Sequence, residues 1–311
     1  MKRQFEDTIQ KPAVVCLLAL AACALWGSAF PSIKLSYQWL TVEGASSQIL
    51  LAGYRFTLAG ALTYLIACIS RKKLATIPKN TVSGTLLLGL CQTTLQYVFF
   101  YIGMAHTTGV KGSVINSANV FAAIIVARFA LKDEPLTARK IIGCLIGFFG
   151  IIVINFSPGS MNFDFAWNGE GFMLICTIVY GASSVLLKIV AAKGDSVTIN
   201  ALQLLFGGVL LLVIGLISGG RVTGFEPKSV ALLLYMSVLS AVAFTIWTVL
   251  MKYNPVGKVA VYGFSIPVFG SALSGIFLGE KVLTLRNFIA LLFVSAGIVI
   301  VNYAGRKSEM A

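Results

Sequence analysis

Charge is what this sequence has least of. Only 11% of its 311 residues are Asp, Glu, Lys or Arg, against roughly a quarter in soluble domains. With 58% hydrophobic residues and a mean hydropathy of +0.89, no polar stretch is left for a separate soluble domain. That excludes an ordinary water-soluble protein and makes a lipid bilayer the first expected partner. Acidic residues are scarcer still, 11 against 24 basic ones. In a soluble chain such an excess would suggest nucleic acid; with so few charges it reads as topology information, and no nucleic-acid partner is expected. One histidine, His106, and six cysteines scattered through apolar runs offer no metal-ligand spacing, so no metal is expected. A Gly-rich phosphate loop followed by Lys-Ser or Lys-Thr is also missing, which excludes a nucleotide-driven pump within this chain and leaves no cofactor to expect.

Long apolar runs are what the chain has instead. About 20 apolar residues cross a bilayer as a helix, and ten such runs are present, near 12–34, 46–70, 82–105, 110–131, 138–157, 170–192, 197–218, 229–252, 257–279 and 284–304. Period-two alternation with regular turns is absent, so a closed β-barrel does not fit. The expected fold is all-α: a polytopic membrane protein of ten transmembrane helices. The first run follows Lys2, Arg3 and Lys11 in the manner of a signal peptide, but it is too long and lacks a small-residue cleavage site, so it is expected to stay attached. With the N-terminus inside, 16 basic residues flank the inner ends of the spans and six the outer ends, while Arg55 and Arg128 fall within spans. Cytoplasmic loops collect Lys and Arg; both termini are therefore expected in the cytoplasm.

The chain also repeats itself. Shifted by 147 positions, residues 131–155 lie over 278–302 with nine of 25 identical, among them Thr137/Thr284, Arg139/Arg286, Gly150/Gly297 and Asn155/Asn302. Trp26-Gly27 with Lys34 matches Tyr180-Gly181 with Lys188 at a shift of 154. Five spans per half, 12–157 and 170–304, is an odd number, so the second half enters the membrane from the opposite side, the inverted repeat of many secondary transporters.

Trp26-Gly27-Ser28 with Lys34, Arg55 in the second span and Leu278-Gly279-Glu280-Lys281 before the tenth carry a family likeness. The chain resembles the EamA-type ten-helix carriers of the drug/metabolite transporter superfamily over roughly residues 12 to 304. The resemblance implies a secondary carrier with its cavity between two repeats, moving small metabolites, often amino acids or related solutes, usually outward. The proline this family often carries in its fourth span has a match in Pro267 but not in the first half, where Asn119 stands, so the halves are expected to differ mechanically there.

Chemistry has little to work with. All eleven acidic residues, Glu43, Glu134, Glu170 and Glu280 included, read as loop, tail or span-end groups. Without paired carboxylates or histidines there is no acid–base constellation, which argues against the rival reading of a membrane-embedded lipid-modifying enzyme. The same scarcity favours facilitated diffusion or exchange over proton coupling through a buried carboxylate. Polar groups at mid-depth are the candidate binding residues: Gln92 and Gln96, four apart and so expected on one helix face; Asn116 and Asn119, three apart; and Tyr97, Trp26, Tyr180, Tyr262 and Ser265 on other spans. Such side chains are costly in hydrocarbon unless they bond neighbouring helices or line a wet cavity. Arg55 joins them as a contact to a substrate carboxylate or to backbone carbonyls. Lys34 and Lys188, and the equally shallow Arg128, read as snorkelling or helix-end groups, and Gly143, Gly147 and Gly150 as a helix-packing face. The expected function is a metabolite carrier of a bacterial plasma membrane that works by alternating access and exports its solute; an exchanger of anionic or phosphorylated metabolites is the alternative.

Overall fold

A computed structural model of the chain describes residues 2–71, 74–106, 115–131, 133–155, 166–278 and 285–307. Lys72, Lys73, Lys111, Lys132, Asp164 and the Gly279-Glu280-Lys281 motif lie outside the described residues. After a short helix, Lys2–Ile9, come ten helical segments: α1 (Pro12–Trp39), α2 (Gly44–Arg71), α3 (Lys79–His106), α4 (Ile115–Ala130), α5 (Ala138–Asn155), α6 (Trp167–Ala192), α7 (Ser196–Ile217), α8 (Pro227–Tyr253), α9 (256–278) and α10 (Leu285–Lys307). No strand occurs among the described residues. Their ends fall within five residues of the apolar runs expected from the sequence. Helices are required because hydrocarbon offers no partner for backbone N–H and C=O groups. Six of them, α1, α2, α3, α6, α7 and α8, are individually long and apolar enough to cross a membrane.

Local signals set the helix starts. Pro12 and Pro227 occupy first-turn positions, where a missing N–H costs nothing. Asp195 caps α7 by accepting from the Thr198 N–H at 2.8 Å.

Packing pairs the halves with each other. α2 packs along α7 and α5 along α10, while α1 meets α8 and α9 just as α6 meets α3 and α4. Exchanging the first five helices for the last five reproduces that pattern, so the two halves interlock around a shared centre.

Glycines make the two like-with-like seams close. A Cβ on Gly60 of α2 would stand 2.4 Å from the Leu205 nitrogen of α7, and one on Gly208 of α7 would stand 2.4 Å from the Thr57 nitrogen of α2. Gly53 and Gly215 repeat the arrangement one heptad away. Backbones this near gain dispersion and exclude lipid, the small-residue device of membrane helix pairs. Gly143 faces Gly297 and Val301 of α10, and Gly147 faces Gly297 and Phe264, so these two α5 glycines serve helix packing within the chain.

Four of the helices are irregular, α6 because it opens on a π-helical stretch, Trp167–Gly171. α3 widens to a π-helix over Gly89–Leu95, α4 has a turn at Ala118, and α9 tightens to a 3-10 helix over Val261–Ser265 before resuming at Ile266. Asn119 donates from Nδ2 to the Asn116 carbonyl at 2.7 Å, satisfying an acceptor that the α4 turn frees. In α9, Pro267 sits just beyond the 3-10 stretch, where its missing N–H is tolerated. The expected mechanical difference between Asn119 and Pro267 is therefore one of means: both α4 and α9 depart from regular helix at this depth.

Candidate functional site

A half-open cavity, with about 520 Å³ of non-atom space that includes open solvent, lies between the halves. α1 contributes Trp26, Ala29, Phe30 and Ile33; α3 contributes Gln96, Tyr97 and Phe100; α4 contributes Asn116 and Asn119. Arg55 of α2, Tyr180 of α6 and Ile266 of α9 complete it. Seven of the ten candidate residues, Trp26, Arg55, Gln96, Tyr97, Asn116, Asn119 and Tyr180, thus share one wall.

Arg55 is 1% exposed, the largest fully buried side chain described. Its Nε donates to Ser240 Oγ at 2.8 Å and one Nη to the Tyr101 hydroxyl at 3.4 Å, while its guanidinium carbon lies 5.1 Å from the Phe56 ring centre. Among the described residues no carboxylate lies within ion-pair distance of it. Burying a cation without a counter-ion costs several kcal/mol even after relaxation. Two neutral hydroxyls orient the fork and leave its charge uncompensated beside the cavity.

Other lining groups are unfinished in the same sense. Trp26 Nε1 and Gln96 Oε1 are buried with no hydrogen-bond partner. Each such group forgoes roughly 1–3 kcal/mol until something bonds it. The polar chain from Thr93 through Gln203 and Asn200 to Thr245 behaves differently, with links of 2.8, 3.1 and 3.0 Å that tie α3, α7 and α8 together. That is helix glue; the Gln96 amide oxygen and the Trp26 indole are held in reserve. Aromatic rings form the rest of the lining. Trp26 meets Tyr180 edge to face at 6.4 Å and is backed by Trp247 at 5.0 Å, and Phe30 meets Phe100 at 6.0 Å.

Three candidates lie elsewhere. Gln92 is fully buried with both amide atoms unpartnered, yet it is not in the cavity wall. Gln92 lies one turn nearer the start of α3 than Gln96, inside the π-helix, and the part of α3 that lines the cavity begins only at Gln96. Tyr262 and Ser265 belong to the 3-10 stretch, where the Ser265 hydroxyl donates to the Tyr262 carbonyl at 2.6 Å. The same carbonyl accepts from the Cys23 thiol at 3.2 Å, so this turn is bound to α1 and Ile266 reaches the cavity in its place.

Sequence reasoning missed Ala29, Phe30 and Ile33, although they follow Trp26 at three, four and seven residues and so share its helix face. It also missed Ser240, for which no sequence signal exists.

A second polar cluster closes the end of the bundle that holds the N-terminus. Glu134, in the α4–α5 connection, is 6% exposed and accepts from the N–H groups of Val256 at 2.7 Å and Gly257 at 3.3 Å. Lys188 of α6 lies 3.5 Å from Glu134 and donates to the carbonyls of Asn254 and, at 3.4 Å, Met251. Lys188 thus caps the end of α8, one of the two roles expected of it, while Lys34 and Arg128 are exposed.

The model of the EamA-like transporter family matches residues 13–156 and again 167–303. An uncharacterized transporter of Archaeoglobus fulgidus is 28% identical over 270 residues, covering 85% of this chain and 89% of that protein. The uncharacterized transporter YvbV of Bacillus subtilis is 26% identical, covering 97% of this chain and 96% of its own length. A solved structure titled "Crystal structure of protein" superposes with a TM-score of 0.77 at 18% identity, covering 96% of this chain and 99% of that one; it shares the fold.

Proposed function

Because the chain belongs to the EamA-like transporter family, we propose that it is a secondary carrier moving a small metabolite through this cavity by alternating access, in the outward direction. The transported class is an amino acid or related solute: one anionic group, one hydrogen-bonding region and an apolar body. The observation that carries the reading is Arg55, a buried cation with no carboxylate partner among the described residues, lining a cavity whose Trp26 and Gln96 also lack partners. A substrate carboxylate would supply the missing charge, and the aromatic wall would take the apolar part. Exchange of anionic metabolites is the second reading, and it too starts from Arg55. A phosphate dianion calls for several converging cations, whereas the other lining residues are neutral.

The same reading takes the membrane to be a bacterial plasma membrane and both termini to be cytoplasmic, so that the Glu134 end faces inward. Transport proceeds by facilitated diffusion or exchange. Counterflow of radiolabelled amino acids and monocarboxylates into proteoliposomes containing only this protein tests the function. A carrier accumulates label without forming product; product without accumulation would establish the enzyme reading instead.

A further inference from the structure

We propose that Glu134 and Lys188 form the latch of a gate, holding the N-terminal end of the bundle shut against the cavity and parting when the carrier opens there. The inference rests on the alternating-access reading.

Placement comes first. The cavity residues of α1, α3 and α4 lie in the halves of those helices remote from the latch, at 26–33, 96–100 and 116–119. On α6, Tyr180 stands eight residues from Lys188, about 12 Å along the helix. On α9, Ile266 is ten residues beyond Val256. The intervening layer is solid: Leu187, Leu250, Met251, Val259 and Phe264 are all buried. A solute in the cavity can reach the N-terminal end only if the elements joined by Glu134 and Lys188 separate.

Connectivity comes second. Glu134 belongs to the α4–α5 connection, its N–H donors to the start of α9, and Lys188 to α6, whose ammonium holds the carbonyl end of α8. Asn254 extends the cluster to the chain before α1, donating from Nδ2 to the Ile9 carbonyl at 3.3 Å. One carboxylate and one ammonium thus join corners from both halves at a single level.

The chemistry suits a joint that must open. A pair largely withdrawn from water, with Glu134 buried and Lys188 mostly so, gives little net stability over apolar packing, because desolvation offsets attraction. Lys188 keeps 23% of its side chain exposed, so water can enter and solvate the parted groups. Apolar packing offers no such compensation on opening.

Native cysteines supply the test. Cys23, fully buried on α1 on the latch side of Trp26, and Cys176, fully buried on α6 on the far side of Tyr180 from Lys188, are each kept as the only cysteine in otherwise cysteine-free full-length proteins. Maleimide labelling rates are measured in lipid nanodiscs, where both faces meet the reagent. Glu134→Gln and Lys188→Gln, each eluting as a monodisperse peak, should each speed Cys23 labelling at least tenfold while leaving Cys176 unchanged or slower. The double variant should add little to the larger single effect. The exchange of Glu134→Lys with Lys188→Glu should not restore slow labelling, because a lysine cannot accept the Val256 and Gly257 N–H groups. Unchanged Cys23 labelling in folded variants, or an equal rise at Cys176, would overturn the latch. Counterflow by the unaltered protein is read separately: its absence would defeat the carrier reading while the labelling still reports on the latch.

Discussion

Replacing Arg55 by glutamine should remove the attraction on which binding depends while leaving the fold in place. Two of the arginine's nitrogens are held by Ser240 and Tyr101, and these partners can hydrogen-bond an amide as well. A substrate carboxylate about 4 Å from the guanidinium carbon would gain roughly 4 kcal/mol at an effective dielectric constant of about 20. Part of that is offset by desolvating the carboxylate, so the measured loss should be about 2–4 kcal/mol, or roughly 30- to 1000-fold in affinity. Removing an unpaired buried charge should not lower stability, and the thermal midpoint should hold or rise. The assay is counterflow with a solute identified by the screen, compared with its carboxamide analogue. The unaltered protein should prefer the acid, and Arg55→Gln should transport both alike. A folded Arg55→Gln protein that keeps its affinity and its preference for the acid would refute the assignment of Arg55 to the substrate.

Trp26→Phe keeps an aromatic ring but removes an N–H that has no partner in the protein; solute affinity should fall by about 1–3 kcal/mol with little change in thermal midpoint, and the reverse pattern would make Trp26 a packing residue. Gly60→Ala would set a Cβ 2.4 Å from the Leu205 nitrogen and should abolish folded protein, whereas Gly44→Ala, with φ +74 but nothing within 4 Å, should cost only about 1–2 kcal/mol of backbone strain; equal yields of the two in size-exclusion chromatography would contradict the seam. Impermeant thiol labelling of single cysteines in intact cells should leave positions 74–81 and 133–140 protected and label 219–228, and termini on opposite faces would sink the proposed orientation.

Much of this architecture can be read from the sequence because the bilayer imposes it. A hydrocarbon solvent permits few spanning structures, so apolar runs translate directly into helices, and a 147-residue shift exposes the repeat. Site residues are less legible, since polar groups at mid-depth mark both cavities and glue. Gln96 and Gln203 look alike as letters, yet one leaves an oxygen unpartnered at the cavity and the other is bonded at both ends of its amide. Departures from ideal helix are harder still: nothing in Gly89–Leu95 announces the π-helix that holds Gln92. Glu134 reads as an ordinary loop residue, and only the folded chain brings it to a backbone 122 positions away.

The register of the α2–α7 seam carries a consequence for directionality. Gly53 and Gly60 correspond to Gly208 and Gly215, a shift of 155 that places Leu210 where Arg55 has its counterpart. The scaffold is nearly symmetric, but the one charged side chain that lines its cavity belongs to a single repeat. A charged solute would therefore travel with a fixed polarity, the same end always facing α2, whichever face of the membrane it entered from. Entry from one face would present that end first and entry from the other would present it last. Half-saturating concentrations measured from the two sides would then differ, as a property of one arginine set in an otherwise two-fold frame.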